Sequence, residues 1–188
     1  MKVLLLNGSP RKAGCTFTAL SEIAAVLEAD NIEAEIFQAG DPSVDNVRCA
    51  AKKMKESDAL VIGSPVYWAS PSGQIITFMD RFCSMAGNDM RLKPGAVVAS
   101  ARRAGTTATL DVLMKYLSYH EMPVVSSTYW PMVHGNTPEE VMQDEEGLQI
   151  MRNLARNMVW LMRSIEAGRQ AGVAVPRQET AAHTNFIR

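Results

Sequence analysis

The sequence is short of the features that mark several protein classes. Three cysteines, Cys15, Cys49 and Cys83, stand 34 residues apart in 188, with no CxxC pair and no neighbouring histidine. That spacing offers neither a disulfide framework nor a metal-ligand cluster, and leaves buried or idle thiols as the expectation. No apolar stretch approaches the roughly 18 residues of a membrane span, and the opening run Val3-Leu4-Leu5-Leu6 breaks at Asn7-Gly8, far short of a secretory leader. A cytoplasmic protein is expected. An excess of charge of either sign is missing too: 19 Lys plus Arg against 20 Asp plus Glu give −1. Neither a nucleic-acid binder nor a polybasic membrane-surface protein has so even a balance.

Phosphate-cleaving motifs are also absent. Gly14 is followed by Cys15 rather than lysine, so there is no P-loop, and the dinucleotide pattern GxGxxG does not occur. No cysteine stands six residues before an arginine, as a cysteine phosphatase would need. The first apolar run ends in Asn7 without the acidic residues of a phosphoacceptor.

What is present is a 47% hydrophobic composition with 21% charged residues, ordinary for one globular domain. Lys2 to Leu6 reads as a strand covered on both faces. Thr16 can cap a helix carrying Leu20, Ile23, Ala24, Val26 and Leu27 and ending near Asn31. Glu33 to Phe37 reads as a second strand, Val44 to Ser57 as a helix, and Ala59 to Ile62 as a third strand running into Gly63-Ser64-Pro65. A helix after Pro71 turns Ile75, Ile76, Phe78, Met79 and Phe82 inward. Gly95 to Ala101, Thr106 to Tyr119 and Pro123 to Ser127 supply strand, helix and fifth strand. Thr137-Pro138-Glu139-Glu140 is a helix start. A long helix then begins near Asp144, with Leu148, Met151, Leu154, Met158, Leu161, Met162 and Ile165 on one stripe, and stops at Gly168 or Gly172. This alternation predicts an α/β, doubly wound parallel sheet over residues 1–170, followed by a polar tail, 171–188, that is disordered or an arm on a partner.

In such a sheet ligands sit beyond the carboxyl ends of the strands, where strand order reverses. The loop Asn7 to Thr16 offers glycines, the Ser9 and Thr16 hydroxyls, the Arg11 guanidinium and a helix N-terminus, a setting for a phosphate. The plainer reading is a polar loop that only caps a helix. The loop Gly63 to Ser72 places Tyr67 and Trp68 between prolines, suited to a planar ligand or equally to the core or a subunit contact. The loop Ser100 to Thr107 opens another helix with Arg102 and Arg103, which can meet an anion or simply be solvated. The twelve methionines suit adaptable core filling or a subunit contact. His120 and His134 read as ordinary loop histidines, with His134 past the fifth strand and close to these loops.

The segments LLLNGSPRKAGCT, SDALVIGSPVYWASPSGQIITFMDR and SARRAGTTATLDVLMKYLSYHEMPVV resemble the NAD(P)H-dependent FMN reductases and the related iron-sulfur flavoproteins over about residues 2–165. The resemblance implies a flavodoxin-like fold, a five-stranded parallel sheet in the order 2-1-3-4-5 with helices on both faces. It implies that FMN is bound, its phosphate by Ser9, Arg11, Cys15 and Thr16. The ribityl chain and ring then fall to Pro65, Val66, Tyr67 and Trp68, flanked by Ala101, Arg102 and Gly105. It further implies NADPH or NADH as electron donor, a small acceptor such as a flavin, quinone, azo or nitro compound, and a homodimer or homotetramer. The iron-sulfur members carry a compact cysteine cluster before the third strand, where this chain has only Cys49, so no cluster is expected. No catalytic side chain is expected either, since the flavin carries the reaction. The competing readings are a flavodoxin-like one-electron carrier without nicotinamide turnover and a flavin-binding scaffold.

Overall fold

The computed structural model describes residues 1–184 and 186. The strand β1 (Lys2–Asn7) lies at the centre of the sheet, between β2 (Glu33–Gln38) and β3 (Ala59–Tyr67), and pairs with both in parallel. β5 (Gly95–Ala101) pairs with β3, and β6 (Met132–His134) forms the far edge beside β5. β4 (Ser70–Pro71) folds back antiparallel on the end of β3.

The apolar runs of β1, β3 and β5 form strands because both of their faces are covered, whereas β2 at the edge is only half-buried. Along β1, Val3 and Leu5 join one core with Val61 and Val98, under α1 (Cys15–Ala29) and α6 (Glu145–Gln170). Leu4 and Leu6 join the opposite core with Leu60, Ile62 and Ala99. This second face is covered by α2 (Val44–Lys55), α3 (Gly73–Met90) and α4 (Thr106–Tyr119). A short helix, α5 (Pro138–Val141), precedes α6. Each large side chain so buried stabilises the fold by about 1.5–3 kcal/mol relative to exposure. Phe78 and Phe82 stack at 5.8 Å in the second core. Ile76, Leu161 and Ile165, expected inside, are only half-buried. Eight of the twelve methionines are buried, filling the two cores.

Two features differ from the sequence expectation. The sheet has six strands in the order β2-β1-β3-β5-β6, with β4 beside β3, rather than five in the order 2-1-3-4-5. The sixth arises because β3 runs on through Tyr67 and turns back through Trp68 and Ala69. The fifth parallel strand is also displaced. Pro123–Ser127 makes only one bridge, Val124 opposite Gly95, while Met132–His134 provides the edge strand. The chain leaves the sheet after Val125 because α6 holds it, through Asn157 Nδ2 donating to Ser126 O at 2.8 Å and Ser127 Oγ donating to Ile150 O at 2.7 Å.

α6 ends at Gln170, and the tail passes Arg91, whose Nη2 donates to Pro176 O at 3.0 Å. Positions 185, 187 and 188 of the expected arm lie outside the described residues. No helix among the described residues is long and apolar enough to cross a membrane.

Candidate functional site

The loops after β1, β3 and β5 stand side by side because those strands are neighbours in the sheet. The first is tied down from Asn7, a buried polar residue ending an apolar strand. Its Nδ2 donates to Gln38 Oε1 at 2.9 Å and to the carbonyls of Arg11 and Lys12 at 3.4 and 3.3 Å. Its Oδ1 accepts from Ser9 N–H at 3.2 Å. Gln38 Nε2 in turn donates to Ser9 O at 2.5 Å. Arg11 N–H donates to Ser9 Oγ at 3.1 Å, which fixes the turn and leaves the Arg11 side chain exposed.

This loop ends at Gly14, the N-cap of α1, which offers no side-chain cap. Thr16, expected as the cap, is already inside the first turn. Its buried hydroxyl shares a 2.8 Å hydrogen bond with Ser100 on β5, joining helix to sheet. The first helix amide bonded backward is Thr18 N–H, to Gly14 O at 3.0 Å. The amides of Cys15, Thr16 and Phe17 therefore have no acceptor among the described residues. The first turn has no acidic residue. Free N–H groups, the positive end of the helix dipole and Arg11 nearby make a place for an anion. Cys15 is half-buried, its Sγ donating to Gly135 O at 3.6 Å, and burial chiefly pushes its thiol pKa up.

The second loop is locked to the first. Gly8 N–H donates to Gly63 O at 2.8 Å, and Ser72 Oγ donates to Gly8 O at 2.8 Å while capping α3 through Ile75 N–H. Ser64 Oγ accepts from Ser72 N–H at 3.0 Å. A Cβ on Gly8 would lie 2.6 Å from Gly63 O, so the two backbones approach closely. Beyond Pro65 and Val66 the hairpin turns on Trp68 (φ +54°) and Ala69 (φ +56°). Turns of this kind prefer Asn-Gly, so an ordinary pair is strained here. The turn holds Trp68 wholly in solvent, 101% exposed, with Tyr67 at 40%.

The third loop packs on the second. Gly105 has φ +98°, and a Cβ there would lie 2.8 Å from both Ala69 Cα and Val66 Cγ1. It is the N-cap of α4, whose first turn likewise holds no acid, and Arg102 and Arg103 beside it are exposed. Ala101, at the end of β5, is buried, and its carbonyl accepts from Gly135 N–H at 3.0 Å. The side chains of Ser9, Arg11, Cys15, Pro65, Val66, Tyr67, Trp68, Ala101 and Arg102 thus stand on three interlocked loops, with Gly105 at the contact. Thr16 is turned into the structure beneath them. Asn7, Gln38, Ser72 and Ser100 hold these loops and were not singled out from sequence. An asparagine closing an otherwise apolar strand was the one available signal.

The amides, arginines and close glycine contacts fit a phosphorylated, flat cofactor, and the likenesses agree. The family model for NADPH-dependent FMN reductase matches residues 1–137. An iron-sulfur flavoprotein of Methanocaldococcus jannaschii is 30% identical over 193 residues, covering 88% of this chain and all of that protein. A flavodoxin from the domain Archaea has a similar fold at 16% identity and a TM-score of 0.65, over 87% of this chain and 99% of the other. FerB, a flavoenzyme NAD(P)H:acceptor oxidoreductase from Paracoccus denitrificans, does so at 17% identity and a TM-score of 0.69, over 87% and 97%. On a flavodoxin-like fold, with a family match spanning all three loops, this chain belongs to the NADPH-dependent FMN reductase family.

Proposed function

We propose that the chain holds FMN across the three loops and passes electrons from NADPH or NADH to a small acceptor such as a flavin, quinone, azo or nitro compound. The observation that carries this reading is the run of unpartnered amides at Cys15, Thr16 and Phe17, beside Arg11 and with the other two loops locked against it. The phosphate would rest on those amides, with the Arg11 guanidinium compensating its charge and the Ser9 hydroxyl donating to it. Pro65 and Val66 would line the sugar chain. Tyr67, Trp68, Ala101 and Arg102 would bound the ring.

Bound FMN supplies hydride acceptance and onward release of one or two electrons. The chain's part is to orient the ring, tune it by hydrogen bonds and leave one face open for donor and acceptor in turn. No side-chain acid or base is required for that. The compact cysteine cluster that the resemblance leads one to expect of iron-sulfur members just ahead of β3 has no counterpart here, where Cys49 stands alone and exposed on α2 and the preceding cysteine is Cys15, at the start of α1. A single flavin is therefore the proposed redox centre. A homodimer or homotetramer is proposed with it, because the exposed Trp68 beside the site offers apolar surface to a second copy.

Anaerobic mixing of the FMN-loaded protein with NADPH or NADH tests the reading. Bleaching of the flavin within seconds, and recovery of colour when a quinone is added, is expected. Tight FMN binding without bleaching by either nucleotide would favour a one-electron carrier and overturn the reductase.

A further inference from the structure

The tail after α6 is strapped to the molecule part-way along and then released. Gly172 (φ +82°) turns the chain out of the helix, and Val173 N–H donates to Gly168 O at 2.9 Å. Arg91 holds it next. Its Nη2 donates to Pro176 O at 3.0 Å and its Nε to Glu121 Oε2 at 2.9 Å, while Glu121 Oε1 accepts from Gln178 Nε2. Beyond Gln178 the tail makes no hydrogen bond among the described residues. Phe186 is 94% exposed, so its ring gains nothing from its own copy.

An apolar groove opens on the same edge of the molecule, starting at Val124, three residues along the chain from Glu121. α6 draws the chain off the sheet after Val125 through Asn157 and the carbonyl of Ile150, and Asn153 Nδ2 donates to Thr128 Oγ1 at 3.3 Å. The excursion raises Tyr129 and Trp130 as an edge-to-face pair at 4.8 Å. Beside the pair lies a cavity of about 440 Å³ walled by Met114, Val124, Tyr129, Trp130 and Pro131, with no charged side chain among its described walls. Val124, Tyr129 and Trp130 are exposed. The end of the edge strand is closed to further strand pairing, because His134 N–H donates to Asp144 Oδ2 at 2.7 Å. An occupant of this edge therefore comes by its side chains.

We propose that Phe186 of one copy docks in this groove of a second copy, each chain giving its tail to the other. The inference names a contact for the homodimer proposed above and rests on that dimer. Reach and symmetry carry it. From Gln178 to Phe186 an extended chain spans up to roughly 26 Å, at about 3.3 Å per residue. By the same measure Glu121, the last anchor, and Val124, the groove's rim, lie within roughly 10 Å of each other. Anchor and groove thus share one edge, and a two-fold axis beside that edge sets each anchor against the other copy's groove. Such an exchange is isologous and closes at two chains. The Tyr129–Trp130 pair offers a third ring an edge or a face. Within its own copy Phe186 stays in solvent, whereas docking across the axis takes ring and groove out of water together.

The test uses FMN-saturated full-length chain with photoreactive p-benzoylphenylalanine in place of Phe186, irradiated as a mixture of unlabelled and ¹⁵N-labelled protein. Mass spectrometry is expected to find position 186 joined to the segment 124–131, in pairs that carry one labelled and one unlabelled peptide. In sedimentation, Phe186→Ala and, in the groove, Val124→Lys should each raise the dimer Kd at least about tenfold, and the double variant little further. FMN affinity and unfolding temperature should stay as they are in both. Cross-links confined to one copy, or made outside the groove, would overturn the proposal. A dimer that Phe186→Ala leaves intact would overturn the exchanged tail while the homodimer stands, and a native chain that is monomeric throughout would overturn both.

Discussion

Arg11 stands exposed while its own amide is held by Ser9 Oγ, so its side chain can be removed without unmaking the turn. Arg11→Ala is expected to weaken FMN binding about tenfold or more, the effect of losing one charge-assisted contact, with an unchanged unfolding temperature. Flavin fluorescence titration checks it. The thiols separate in the same way. Burial, with Asp80 nearby, pushes the Cys83 pKa up to about 12, whereas Cys49 is exposed on α2. A thiol reagent at about pH 8 should therefore modify Cys49 in the folded protein and leave Cys83 until unfolding, as peptide mapping would show. At this scale the loop's phosphate-friendly composition was legible in the sequence. The Asn7–Gln38 clasp was not, because its partners lie 31 residues apart and meet only when β1 pairs with β2. As the expected helix cap Thr16 misled: it lies inside the first turn after Gly14, and its hydroxyl meets Ser100, 84 residues away.

Among the elements, the helices and the four inner and near strands follow from apolar periodicity, since their signals are local. The edge strand does not. Val124 and Val125 read as strand, but the acceptors and donors that pull the following residues off the sheet belong to α6, so no local pattern reports them. The β3–β4 hairpin is hidden similarly, because Trp68-Ala69 lacks the Asn-Gly signature of such a turn. α6 shows how a single residue ties elements together. Asp144 Oδ1 accepts from Gly147 N–H at 3.0 Å as the helix cap, and its Oδ2 accepts from His134 N–H at 2.7 Å at the end of β6. Asp144→Ala should cost about 1–2 kcal/mol of stability, and Asp144→Asn, whose amide oxygen replaces one acceptor while its NH2 faces the other N–H, should restore only part of it, read by denaturant unfolding.

For the whole molecule, two cores on opposite faces of one sheet were foreseeable from the near-continuous apolar runs of β1 and β3, whereas the order of the inner strands came with the family resemblance, because alternation with helices leaves strand order open. Stability should also carry a pH signature from the helix ends below the sheet. His120 packs on Gly87, where a Cβ would lie 2.7 Å from its ring, and burial holds its pKa below the ordinary 6.5. The folded state thus resists the proton more than the unfolded chain does, so stability is full above about pH 6.5 and declines as pH falls below it. Unfolding temperatures from about pH 7.5 down to 5 should fall for the native chain and fall less steeply for His120→Gln.

The three-loop site is tested most directly by titrating the purified chain with FMN and, separately, with riboflavin, which has the same ring and sugar chain and no phosphate. One-to-one binding of FMN, with riboflavin held about a hundredfold more weakly, is the expected result if the free amides of α1 and Arg11 cradle the phosphate. Equal affinity for the two, or no binding of FMN, would contradict it.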